Sequence, residues 1–288
     1  MKKIMVATDF SERSDRALRR AILLARQFAA TIALVHVIDD DQPLRITETE
    51  RGEAETLLRQ TAATLRDVDA VECHTRVVLA SPFAGIVQAV AEIAPDLLVI
   101  GPHRRHVLRD VFVGTTAERT IRSVHCPVLM VNAPPAGTYR HILQTTDLSE
   151  GSADSLKRFA ALGIGAHART SVLHVFDAPA LRLEKIDRMS GDERESYLSE
   201  RRADAARRLA AFLSAAGIES GNTILHREES TLAHEIVSVA EKEEADLVVL
   251  ATHGRSKLSQ LFIGSITEQV LRSSSIDVLA IPPLARTD

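Results

Sequence analysis

The chain has 288 residues, 26% of them charged, a formal net charge of −4 and a hydrophobic share of 45%, an ordinary globular balance whose length suggests two domains. With no Trp and an aromatic share of 3%, it lacks stacking platforms for single-stranded nucleic acid, and its interspersed charges form no basic stripe. No apolar run approaches the roughly 20 residues of a membrane-crossing helix, and the opening residues enter a strand pattern without a cleavage site, so a cytoplasmic protein without membrane partners is expected.

In chain order, the apolar run 3–7 predicts a strand ending at Thr8-Asp9, and Leu18, Ile22, Leu23 and Ala25 give residues 14–29 a helical period. Strand 31–38, helix 47–66, strand 71–79, helix 82–93, strand 96–101, helix 114–124 and strand 127–131 follow. Cys73 and Cys126 lie in or beside apolar runs and read as reduced packing residues, not a disulfide framework.

The rest of the chain repeats this plan. Asp9, Ser11, Glu12 and Leu18 recur as Asp147, Ser149, Glu150 and Leu156 at one offset of 138, which holds as 33–39 aligns with 171–177. Residues 96–100 align with 246–250 at an offset of 150, so the second copy carries about 12 extra residues, assigned to the charged stretch 181–202. The Pro/Gly cluster 133–137 is the linker, giving domains at 1–135 and 136–288. Strands alternating with helices predict an α/β chain of two tandem, doubly wound, Rossmann-like parallel-sheet domains.

In such sheets ligands bind beyond the carboxyl ends of the strands, where strand order reverses. Two places in each copy qualify. One is the carboxylate after the first strand, Asp9 or Asp147, which reads either as a turn-and-cap residue or as an acceptor for a nucleoside. The other is the loop after the fourth strand. In the second copy it runs from Ala251 through Gly254 to Gly264 and Ser265, where free backbone N–H groups at a helix start suit an anion. A tight turn that needs glycine is the plainer reading of Gly254.

The spacing of this loop resembles the G-x2-G-x9-G-[ST] signature of the universal stress protein family. Ala251, Gly254, Gly264 and Ser265 match it without the first glycine, and Gly101, Arg104, Gly114 and Thr115 match it without the second. The resemblance covers nearly the whole chain twice, including Val-His-Cys-Pro-Val at 124–128. It implies the adenine nucleotide alpha hydrolase-like fold of the tandem two-domain type, and an ATP pocket, with or without Mg2+. In that pocket Val37 and Val175 would contact adenine, and Asp9 and Asp147 the adenosine. Arg104 replaces a glycine where phosphates approach, so the second copy is the expected site; alternatively Arg104, Arg105 and Arg109 grip phosphate directly.

His103 and His106 lie among arginines with no carboxylate or thiolate partner and are read as a solvated loop, with no metal site. His36 and His174 are expected to be tucked, hydrogen-bonded residues, and the mixed charges of 184–208 an exposed helical face. No catalytic constellation is recognisable, so the chain is expected to be no enzyme, at most a slow ATPase. The expectation is a stress-response regulatory module that binds ATP or a related adenine nucleotide; the alternative is a nucleotide-independent scaffold. The two copies are expected to pack as an intramolecular pseudo-dimer through the apolar edges 128–131 and 278–281, with further pairing of chains left open.

Overall fold

The computed structural model describes residues 1–102, 116–181, 190–219, 221–252 and 264–282. The first copy contains β1 (Lys3–Thr8), α1 (Glu12–Phe28), β2 (Thr31–Ile38), α2 (Leu44–Asp67), β3 (Cys73–Leu79), α3 (Pro82–Ile93), β4 (Leu97–Ile100), α4 (Thr116–Ser123) and β5 (Val128–Met130). The second contains β6 (His141–Thr145), α5 (Glu150–Leu162), β7 (Arg169–Phe176), α6 (Gly191–Ala216), β8 (Thr223–Arg227), α7 (Leu232–Lys242), β9 (Leu247–Ala251), α8 (Ser265–Ser273) and β10 (Asp277–Ile281). None of the described helices is long and apolar enough to cross a membrane.

Helix starts follow local chemistry. The Ser11 side chain accepts from the Ser14 amide and the Ser149 side chain from the Ser152 amide, so both first helices begin one residue after a serine N-cap. α6 opens with a reciprocal capping box between Ser190 and Glu193 and ends at Gly217, in the left-handed region at φ 65°.

Among the described residues the strands form one sheet in the order β3-β2-β1-β4-β5-β10-β9-β6-β7-β8. Within each copy every pairing is parallel, and strand order reverses between β1 and β4 and between β6 and β9. Buried on both faces, the strands need apolar residues at successive positions. Met5 faces one core layer with Ala89 and Ile121, while Ile4 and Val6 face the other with Ala21 and Leu58. Both layers run through both copies.

The copies meet at β5 and β10, the antiparallel pair, with Leu129 opposite Leu279. These two leucines are themselves equivalent at the offset of 150, so a local two-fold relation passes through the pair. It shows again in reciprocal ion pairs: Arg122 reaches Glu268 at 3.0 Å, and Arg272 reaches Glu118 at 2.7 Å. A second cluster at this junction is deeper. Asp277, fully buried, accepts from Arg20 at 3.2 Å, the Tyr139 hydroxyl at 2.7 Å, and the amides of Asn132 and Ala133 at 2.9 and 3.0 Å.

The registers also redistribute the extra residues of the second copy, which do not all fall in 181–202. Leu34 pairs with Thr75 and Val172 with Thr223, an offset of only 148 at the third strands. The remaining two residues lie in the β8–α7 connection, which runs from Arg227 to Leu232 where the first copy needs only Leu79 to Pro82.

Candidate functional site

The turn after the first strand of each copy is built alike. Thr8 Oγ1 accepts the Phe10 amide at 3.0 Å and Thr146 Oγ1 accepts the Leu148 amide at 3.0 Å. Phe10 and Leu148 are held at φ 57° and 64°, a left-handed conformation that bulky side chains seldom adopt. Strain of this kind, on the order of 1–3 kcal/mol, persists only where the surroundings enforce it. What it achieves is placement: Asp9 and Asp147 stand at the strand ends, each taking the amide of the following serine on Oδ1 at 3.0 Å. The helix caps are therefore the serines, and the aspartates brace the turn before them. Partial burial works to raise the Asp9 carboxyl, but hydrogen bonds from Ser11 and Ser14 outweigh it and hold it below the usual value.

His36 and His174 are fixed beside these turns. Nδ1 of each meets the carbonyl of the strand-end threonine, Thr8 at 2.8 Å and Thr146 at 3.0 Å, tying the second strand to the first.

A cavity of about 470 Å3 opens at the carboxyl ends of β6, β7 and β9, within the range of small-molecule sites. Asp147, Val175, Ala251, Gly264 and Ser265 all line it. Ala251 is absent from the positive-φ residues, so its methyl group is carried without backbone strain. Gly264 is the N-cap of α8 with no side-chain cap, leaving the first amides of that helix to an incoming group. A Cβ on Gly264 would meet the Thr252 carbonyl at 3.5 Å and the Thr267 hydroxyl at 3.9 Å, both ordinary contacts.

The first copy has a matching cavity of about 540 Å3, lined by Asp9, Val37 and Gly101. Gly101 is constrained by packing: a Cβ there would stand 2.8 Å from the backbone carbonyl of Arg13. Gly254, Gly114, Thr115, Arg104, Arg105, Arg109, His103 and His106 lie outside the described residues, and so does the question of whether Arg104 closes the first loop.

One wall of the second cavity was not anticipated, although residues 190–208 are mostly exposed as expected. The charged stretch read as an exposed face contributes Arg201, Asp204, Ala205 and Arg208 to the cavity, because α6 leans over it. Arg201 donates to the Asp177 carbonyl at 3.1 Å from Nη2. Their spacing of i, i+3, i+4 and i+7 is one helical face, a signal present in the sequence but masked by charges on every side. The lengthened β8–α7 loop is the other new feature. Glu235 on α7 accepts from His226 at 2.7 Å and from both the amide and the hydroxyl of Ser230 at 2.7 and 2.8 Å. Neighbouring Glu228 lines the cavity.

The Universal stress protein family matches residues 1–132 and again residues 138–282. The chain belongs to the universal stress protein family. It carries the family domain in tandem, each copy an α/β unit on a mostly parallel sheet. A universal stress protein of Methanocaldococcus jannaschii is 30% identical over 142 residues, covering 46% of this chain and 83% of the relative. A putative universal stress protein of Staphylococcus haemolyticus is 31% identical over 140 residues, covering 45% and 84%. Among solved structures, a universal stress protein of Archaeoglobus fulgidus superposes with a TM-score of 0.70 at 17% identity, covering 98% of this chain and 96% of that one. A putative universal stress protein of Pseudomonas aeruginosa gives 0.68 at 19% identity, covering 98% and 94%. These two likenesses speak for the fold, and they span both universal stress protein domains at once.

Proposed function

We propose that this universal stress protein is a cytoplasmic regulatory module that binds ATP or a related adenine nucleotide in the second-copy cavity. The observation that carries this reading is the convergence of Asp147, Val175, Ala251, Gly264 and Ser265, drawn from four separate elements and their ends, on one cavity wall. Asp147 would accept the ribose hydroxyls, the Val175 backbone would meet adenine, and the opening amides of α8 would receive phosphate, with or without Mg2+. No residue is assigned a catalytic role. The domains divide between 135 and 136 in this reading, and the β5–β10 junction serves as the intramolecular counterpart of a homodimer.

Isothermal titration of the full chain with ATP tests it. Binding should weaken about tenfold in Asp147→Ala, the scale of a lost hydrogen bond to a charged group, and stay unchanged in Asp9→Ala. A folded protein that takes up no adenine nucleotide at millimolar concentration refutes the proposal and leaves the scaffold reading.

A further inference from the structure

The local two-fold relation at the β5–β10 junction is broken at one pair of places. Arg20 on α1 and Arg158 on α5 are equivalent at the offset of 138, as are Tyr139 and Met1, while Asp277 and Pro127 are equivalent at 150. Each arginine reaches across the junction into the other copy. Arg20 finds a complete set of partners there: the Asp277 carboxylate at 3.2 Å, the Gly137 carbonyl at 2.6 Å, and the Tyr139 ring with its centroid 4.1 Å from the guanidinium carbon. Carboxylate and ring are what a buried guanidinium wants, one for its charge and one for its flat face.

Arg158 has the same position without them. It donates to the carbonyls of His125, at 3.0 Å, and Pro282. Among the described residues no carboxylate is ion-paired with it, and Asp154, one turn earlier on α5, acts only through space. Where the other half has Asp277 and Tyr139, this half has Pro127 and Met1 on the wall of a cavity of about 760 Å3. Apolar groups, among them Val87, Val90 and Leu162, form much of the rest of it. The carboxylate on that wall, Asp96, already accepts the amides of Lys2 and Lys3. The Cys126 thiol beside it is pushed up to about 11 by burial and is therefore neutral.

We infer that the cavity around Arg158 binds a small aromatic carboxylate. Its carboxylate takes the place that Asp277 fills beside Arg20, and its ring the place that Tyr139 fills. The chain thus displays in one half the ligand chemistry that the other half lacks. This site lies at the amino-terminal ends of the first copy's strands, near the start of β5, which the antiparallel β5–β10 pairing sets on the same edge of the sheet as the carboxyl ends of β6, β7 and β9; it shares no lining residue with the proposed nucleotide cavity and does not depend on it.

The test is titration of the full chain with 4-hydroxyphenylacetate, alongside acetate as the carboxylate alone and tyrosol as the ring alone. One-site binding of the aromatic acid is expected, with each fragment at least about tenfold weaker. Arg158→Gln should reduce binding by about tenfold or more, as loss of a charge-assisted contact does. Pro127→Asp should abolish it by installing the internal carboxylate. Ala161→Trp, at an exposed position on the cavity rim, should block it sterically and keeps the test available if Arg158→Gln fails to fold. The inference is overturned by absence of binding at about 10 mM, beyond any useful affinity. Affinity untouched by Pro127→Asp and Ala161→Trp, or competition with ATP, overturns it equally.

Discussion

Replacing Arg20 by Met removes the cation from a carboxylate that has no access to water. Asp277 is 0% exposed and the Arg20 side chain only 6%, so neither charge is rescued by solvent in the native state. Deleting one member of a buried pair costs about 3–5 kcal/mol, because the remaining charge stays uncompensated. The Tyr139 hydroxyl and the Asn132 and Ala133 amides still reach Asp277, which places the expected loss toward the lower end, about 3 kcal/mol at neutral pH. In a chain this long that corresponds to a fall in Tm of about 5 °C.

The loss should depend on pH in a definite direction. Burial raises the Asp277 carboxyl above its ordinary 3.8, against the lowering effects of Arg20, Tyr139 and the two amides. A raised folded-state pKa means the native protein holds its proton more tightly than the unfolded chain, so the contribution of this group to stability is full below the unfolded value and declines as pH rises through the folded one. Without Arg20 the folded value climbs further, widening that window. Arg20→Met should accordingly be most destabilised near pH 7.5 and recover part of the deficit toward pH 5, read by urea denaturation at both pH values. A deficit under about 1 kcal/mol, or one that grows on acidification, would refute the reasoning. Arg158→Met is the internal control: it gives up only hydrogen bonds to two carbonyls and relieves a cation without an acidic partner, so its cost should be about 1–2 kcal/mol at most.

Three further outcomes are expected. Gly85→Ala should destabilise by about 1–3 kcal/mol, because its Cβ would stand 2.5 Å from Val37 Cγ1, whereas Gly264→Ala should leave stability within about 1 kcal/mol of wild type, both read by urea denaturation. Glu235→Gln should flatten the acid limb of the stability curve. Burial raises the Glu235 carboxyl, but Ser230 and His226 hold it below its ordinary 4.5, so its contribution is present above 4.5 and lost as pH falls through the depressed value; an unchanged limb would contradict this. A double-mutant cycle on Glu118 and Arg272 should give a larger coupling than one on Arg122 and Glu268, about 1–3 against under 1 kcal/mol, since the Glu118 side chain is 4% exposed and both members of the second pair exceed 25%.

The layout of the site was legible because it is written locally. A strand followed directly by a turn with Asp9 or Asp147, and two residues later by a capping serine, carries its own geometry, and the repeat offset carries it into both copies. The apolar edges of β5 and β10 announced a pairing for the same reason. Gly101 was legible only as the first glycine of a loop signature, yet its first constraint is the Arg13 carbonyl of α1, a contact between elements with no trace in the loop itself. The α6 wall was missed because Arg201 and Arg208 sit among charges whose helical face becomes evident only when the cavity beneath it is known. The Arg20–Asp277 pair joins residues 257 apart and leaves no periodic signal at either end.

That pair also explains what fusion makes possible. In a symmetric homodimer, one residue at the start of the last strand must serve both arginines, so a carboxylate there is present twice or not at all. Joining the copies releases that constraint. One arginine has acquired a carboxylate and a ring, locking the junction; the other has kept its place over a cavity from which both are missing. For a purely structural junction the second arrangement is the poorer one, because a half-buried cation held by two carbonyls alone carries a desolvation cost that no acidic partner offsets. Its presence opposite a satisfied twin is therefore better understood as a site kept for an anion from outside than as a contact left unfinished.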